Sequence, residues 1–193
     1  IEYFVEEKPL GNAGALFKLK EKLREPFLLL NADALFDMDF NRMVKYHYKH
    51  NAMVTLFTHP NNHPYDSGLI ITDDNNRVMQ WLTKEDVRPS FYKIHVINPE
   101  ILDSINADDI GNIDSETGKI VKVDLDRQVL KPLAGTGKMI CYDSPEYVKD
   151  MGTPERYRQV EKDFVEGKVR AKNLCNKQKA IFLDRDGTIN VYK

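Results

Sequence analysis

Cysteine is nearly absent from this chain: Cys141 and Cys175 are the only two in 193 residues. They have neither the paired spacing of a metal site nor the count of a disulfide framework, so a reducing, cytoplasmic setting is expected. An excess of one charge is also lacking, with 28 Lys and Arg against 30 Asp and Glu and a formal net charge of −2. That balance argues against nucleic acid as a partner. No apolar run approaches the roughly 20 residues of a membrane span, and Ile1 opens no basic-then-apolar signal segment. No membrane partner is expected. Internal repeats and low-complexity tracts are absent, and so is an initiator methionine. The chain opens on IEYFVEE and stops at Lys193 a few residues after a motif, which reads as a piece of something larger. Its length suits one packed domain, or one and a fraction.

What is present alternates. FLLL, residues 27–30, runs into Asn31, Ala32 and Asp33 without a polar break. A short continuous apolar run of this kind suits a strand buried on both faces, although periodicity alone does not exclude a helix. As a strand of a parallel sheet it would leave Asp33 just past its carboxyl end, where open α/β sheets place ligands. Asp37 and Asp39 follow, Asp39 as N-cap of a helix with Phe40, Met43, Val44 and His47 on one face. Before this stretch, residues 1–6 read as β and residues 13–23 as a helix with Ala15, Leu16, Leu19 and Leu23 on one side. After it, residues 52–60 read as a strand. The rhythm predicts an α/β domain with a largely parallel sheet.

Further along, GLIITDDNNRVMQWL reads as a hairpin turning through Asp73–Asn76. FYKIHVINP reads as a strand and PEILDSI as a short helix opened by Pro99. VDLDRQVLKPLA is amphipathic, with Leu125, Val129, Leu130 and Leu133 together. KMICYD is a strand, and Thr153 with Pro154 starts a capped helix in which Arg156 takes N3, so that no capping box forms. Residues 166–179 are polar and basic with little apolar period and read as a linker, after which AIFL opens a strand.

The chemistry-bearing residues are few. Asp33 and Asp150 each follow a strand, and two carboxylates on neighbouring strand ends can share a hard cation such as Mg²⁺. On residues alone they are equally compatible with helix caps or solvated loop acids. Gly11 and Gly14 flank a helix start, where backbone N–H groups can meet a base edge or an anion. Lys8, Lys84 and Lys131 can each meet a phosphate or simply face solvent.

Taken in order, EEKPLGNAGAL, LLLNADALFDMDF, GLIITDDNNRVMQWLTKE, VDLDRQVLKPL and YDSPEYVKDMGTPERY resemble a sugar-1-phosphate nucleotidyltransferase of the mannose or heptose 1-phosphate branch. The resemblance covers roughly residues 1–165. It implies a Rossmann-like, GT-A-like α/β fold with a mixed sheet. It also implies transfer of a nucleotide from an NTP, GTP or ATP, to a sugar 1-phosphate, giving a GDP- or ADP-heptose or GDP-mannose type of product and pyrophosphate. By the same resemblance Asp33 and Asp150 hold Mg²⁺, while Leu10, Gly11, Asn12, Ala13 and Gly14 lie against the nucleobase. Lys84 approaches the sugar phosphate, and Gly68 lines the sugar pocket. Asn12 stands where the family pattern usually has threonine, and Ala32 where it usually has glycine. The family's glycine-rich triphosphate loop is expected upstream of Ile1, so residues 1–193 alone are expected to be inactive. A sugar-binding turn is expected between Lys93 and Ile94, where the sequence runs on without turn residues.

KAIFLDRDGTIN, residues 179–190, resembles the first motif of the haloacid-dehalogenase-like phosphatases of the heptose-bisphosphate or histidinol-phosphate branch. That resemblance implies Asp184 as nucleophile and Asp186 as general acid/base. The expected organisation is a transferase domain at 1–165, a linker at 166–178 and the start of a phosphatase domain at 179–193. Phosphatase chemistry as the dominant activity, and a non-catalytic binding module, remain alternatives, and homo-oligomerisation stays open.

Overall fold

The structure, a computed structural model, describes residues 1–58, 69–82, 91–177, 179 and 181–183. In chain order these form α1 (Gly14–Lys18), β1 (Phe27–Leu30), β2 (Ala34–Asp37), α2 (Phe40–Lys49), β3 (Val54–Thr58), β4 (Leu69–Thr72), β5 (Val78–Leu82) and β6 (Phe91–Ile97). After a 3₁₀ turn at Pro99–Asp103, a π turn at Leu125–Leu130 and a 3₁₀ turn at Lys131–Leu133 come β7 (Met139–Asp143), β8 (Tyr147–Asp150), α3 (Pro154–Val165) and α4 (Lys168–Lys172). The elements divide into two compact units: Ile1–Ala32 with Phe40–Pro145, and Asp33–Asp39 with Glu146–Lys193. Among the described residues, no helix is long and apolar enough to cross a membrane.

The first unit is built on a mixed four-stranded sheet of order β1-β6-β3-β7, as the α/β mixed-sheet expectation requires. It is not largely parallel. β3 and β7 run parallel, whereas β6 is antiparallel to both β1 and β3. The doubly buried strand is β3, whose Val54, Thr55, Leu56 and Phe57 are all at 0% exposure. Val54 and Leu56 join a core with Phe17, Ile97, Leu102, Val129, Leu130 and Met139. Thr55, on the alternate register of the strand, is bonded to His47 of α2. β1 instead pairs only β6 among the described strands and is half-buried, with Leu30 exposed. Phe27, Leu28 and Leu29 are thus only partly covered among the described residues, where burial on both faces is expected.

Other departures have local causes. Residues 1–6 form no strand, and Ile1, Tyr3 and Val5 are exposed, because no described strand offers them a ladder. α1 stops at Lys18, short of Leu23, and buries Gly14 and Phe17. The β4–β5 hairpin forms as expected, since Asp73 Oδ1 accepts from the backbone N–H groups of Asn75 and Arg77 and Asn76 takes a left-handed φ of 61°. β6 runs straight through Lys93–Ile94 without a turn. Leu56 faces His95 but Thr58 faces Phe91, so a register irregularity falls beside that junction.

The second unit is a two-stranded antiparallel ribbon, β2 with β8, packed with α3 and α4. Sequence reading gives neither strand. It also reads 166–178 as a linker, but Lys168–Lys172 is helical and Val169 is buried. Buried Glu146 explains part of this order. Its Oε1 accepts from the backbone N–H of Asp39 at 2.6 Å and of Leu174 at 3.0 Å. Asn173 adds a bond from Nδ2 to Asp37. Ile181, Phe182 and Leu183, expected to form a strand, are exposed and lie in none.

Candidate functional site

The ribbon brings Asp33 and Asp150 together. Its register sets Ala34 opposite Asp150, and the N–H of Met151 donates to the carbonyl oxygen of Asp33 at 2.7 Å. The Asp33 side chain is exposed, and among the described residues its carboxylate has no hydrogen bond or ion pair. Asp37, by contrast, ends β2 and receives Asn173, and Asp39 directly precedes α2.

The sequence Asp150-Met-Gly-Thr-Pro-Glu-Arg156 shapes the other carboxylate step by step. Asp150 closes an Asx-type turn, its Oδ1 accepting from the N–H of Gly152 at 2.8 Å. A Cβ on residue 152 would stand 3.1 Å from that oxygen, so glycine leaves the carboxylate room to fold back. Thr153 then caps α3, its hydroxyl accepting from the N–H of Arg156 at 3.3 Å, with Pro154 in the first turn. The capped helix start returns the Arg156 side chain to Asp150, and Nη1 donates to the same Oδ1 at 3.1 Å. Oδ2 accepts no hydrogen bond among the described residues.

Among the described residues no group of three or more His, Cys, Asp or Glu is gathered that could hold a metal. Two carboxylates with open oxygens still suit Mg²⁺, which is commonly held by one or two protein carboxylates and keeps water and phosphate as its other ligands. The donor set therefore fits the ion that the resemblance implies.

Behind Asp150, α3 grips β8 a second time. Asp163 is 4% exposed. Its oxygens accept from the Tyr147 hydroxyl, Lys149 Nζ and Gln159 Nε2, each at 2.9 Å. Burial alone would raise its pKa. The bonds from Lys149, Tyr147 and Gln159, with the Lys149 charge, outweigh burial and hold it well below the usual carboxylate range.

In the first unit, the Leu10–Gly14 loop is fixed against Val123. Leu10 accepts from the N–H of Val123 at 2.8 Å, and the N–H of Ala13 donates to the Val123 carbonyl at 3.2 Å. Gly11 has φ +90°, and a Cβ there would meet the Val123 carbonyl oxygen at 2.3 Å. Only glycine combines that backbone with that approach. Among the described residues Asn12 donates nothing to the turn. Its Oδ1 accepts from the N–H of Leu125 at 2.7 Å, at the start of the π turn. Leu10 and Ala13 are buried and belong to the core, and a Cβ on Gly14 would stand 2.4 Å from Leu10 Cβ. Lys84, Gly68, Asp184 and Asp186 lie outside the described residues. Lys8 and Lys131 are exposed.

Arg156 and Asp163 are the residues that motif reading passes over as partners of this site. The signal for Arg156 was its N3 position, which points its side chain back across the N-cap toward the residue three places before it.

Residues 1–166 match the family described as Nucleotidyl transferase, and the chain belongs to that family. Among its relatives, the mannose-1-phosphate guanylyltransferase of Mycobacterium tuberculosis is 30% identical over 173 residues, covering 86% of this chain and 45% of that protein. The mannose-1-phosphate guanylyltransferase catalytic subunit beta of Dictyostelium discoideum is 24% identical over 98% of this chain and 49% of its own. The chain thus spans about half the length of the curated relatives it matches. In fold it resembles the crystal structure of HddC from Yersinia pseudotuberculosis, with a TM-score of 0.65 at 15% identity over 84% of this chain and 66% of that one. A structure of HddC complexed with GMP-PN gives a TM-score of 0.62 at the same identity.

Proposed function

We propose that this chain is the part of a sugar-1-phosphate nucleotidyltransferase that carries the metal-holding carboxylates. A phosphate oxygen of the sugar 1-phosphate attacks the α-phosphorus of a nucleoside triphosphate. The bond from that phosphorus to the α–β bridging oxygen breaks, and pyrophosphate leaves with the electron pair. Such transfers depend mainly on positioning and on neutralising developing charge. Mg²⁺, when bound, supplies positive charge beside the phosphates. Asp33 and Asp150 would hold it, the Gly152 turn and Arg156 fixing the second carboxylate. The Leu10–Gly14 loop, stiffened by Gly11 and Asn12 against residues 123–125, would present backbone to the nucleobase. Lys84 would meet the sugar phosphate, and Gly68 the sugar.

The observation that carries this reading is the pair of carboxylates with open oxygens on one ribbon. Relatives described as mannose-1-phosphate guanylyltransferases support GTP as donor and mannose 1-phosphate as acceptor. An HddC complex with GMP-PN also favours a guanine nucleotide. A heptose 1-phosphate is the alternative acceptor. Pyrophosphate release by the full-length protein, measured with GTP and ATP, each against mannose 1-phosphate and heptose 1-phosphate, tests both choices. Release from none of the four pairs would contradict the reading.

The family match ends at residue 166, leaving the D-R-D-G-T run beyond it. We read 179–193 as the opening of a phosphatase-type domain in which Asp184 and Asp186 carry the chemistry. Phosphate release lost in Asp184→Asn, with nucleotide transfer kept, is the expected result.

A further inference from the structure

We infer that Arg156 is a positioning residue for metal binding, clamping Oδ1 of Asp150 so that Oδ2 faces the cation. The inference rests on the proposed role of Asp150 as a metal ligand and names a residue that this role does not itself require. Arg156 Nη1 and the N–H of Gly152 converge on one oxygen, at 3.1 and 2.8 Å, and leave the other without a hydrogen bond among the described residues. Two donors on one oxygen restrain a carboxylate torsion that is otherwise broad and two-fold. Both side chains are 42% exposed, so solvent screens the ion pair and little stability comes from it.

The arrangement is also built from behind. Asp163 lies seven residues after Arg156 on α3, and it holds Tyr147 and Lys149 of the strand that ends in Asp150. One helix thus anchors β8 through its buried carboxylate and orients the strand's last side chain through its first-turn arginine. Outer groups that orient metal ligands commonly change metal affinity 10- to 100-fold when removed. The arginine's own charge acts in the opposite sense, repelling a second cation. The direction of the effect therefore separates orientation from repulsion.

The test is Mn²⁺ affinity, read by the electron paramagnetic resonance of free Mn²⁺, with and without a nucleoside triphosphate, alongside Tm. Arg156→Ala is expected to weaken Mn²⁺ binding roughly 10-fold, and Arg156→Lys to restore part of it. His47→Gln, a buried change in the first unit, serves as the stability control, lowering Tm while Mn²⁺ affinity at a temperature below unfolding stays within about twofold of wild type. Affinity in Arg156→Ala that is unchanged or tighter, with Asp150→Ala still losing the ion, overturns the positioning role alone. Equal Mn²⁺ binding by wild type and Asp150→Ala overturns the metal reading, and this inference with it.

Discussion

Asp150 folds its carboxylate onto the N–H of Gly152, the two 2.8 Å apart, and a side chain on residue 152 would begin 3.1 Å from the bonded oxygen. The D-x-G spacing therefore has a steric meaning. A Cβ on the third residue would crowd the bonded oxygen of the first, and glycine relieves that contact.

Gly152→Val is expected to push Oδ1 off the turn and to lower turnover about 10-fold, in the range seen when outer partners of a metal ligand are lost. Its φ is not in the left-handed region, so the backbone tolerates the change and Tm should move little. Steady-state kinetics with a thermal melt checks both. A large fall in Tm with unchanged activity would make Gly152 a folding residue only.

Two groups give the stability curve separate acid-side steps. His47 is buried, its Nδ1 and Nε2 lying 2.8 Å from Thr55 Oγ1 and 2.9 Å from Asn98 Oδ1. Burial lowers its pKa despite the Asn98 bond, which pulls upward. The unfolded chain therefore takes up the proton first, and stability falls as pH drops below about 6.5. Asp163 acts lower. With its pKa depressed, its contribution is complete above about 4 and is lost as pH falls further. Asp163→Asn should cost about 2–4 kcal/mol at pH 7, since Lys149 and Tyr147 lose an ionised partner for a buried site. It should also flatten the pH dependence of Tm below pH 4, while His47→Gln flattens it below about pH 6.5. Melts across pH 3–8 check both windows.

The cysteines should differ in reactivity. Cys141 is buried in β7, and burial with the neighbouring Asp143 charge pushes its thiol up to about 12, against a bond with Thr58. Cys175 is exposed. A thiol reagent at pH 8 is expected to label one cysteine quickly in the folded protein and two after denaturation. Cys175→Ser should remove the fast phase.

How much of this could be read in advance depends on local chemistry. The β4–β5 hairpin was legible because Asp73 and Asn76 are turn-specific, and the start of α3 because Thr153 and Pro154 are cap-specific. The mixed sheet came with the family resemblance, whereas the strand rhythm alone suggested a parallel one. FLLL misled because a half-buried strand and a doubly buried one share an apolar composition. The fully buried run turned out to be VTLF, where Thr55 is held by His47. ALFD and YVKD are too short for any periodicity, and so the ribbon that joins Asp33 to Asp150 was not visible as structure. Both carboxylates were nonetheless named from the motifs. Arg156 and Asp163 were not, because their partners are set by how α3 lies along β8.

The central claim is that Asp33 and Asp150 hold one Mg²⁺ for nucleotidyl transfer. Its most direct measurement is pyrophosphate release by the full-length protein as a function of Mg²⁺ concentration, compared among wild type, Asp33→Asn and Asp150→Asn. The account predicts that each variant loses at least about 100-fold in kcat/KM, raises the Mg²⁺ needed for half-maximal rate, and keeps its Tm. Wild-type rates and an unchanged Mg²⁺ dependence in either variant would contradict it.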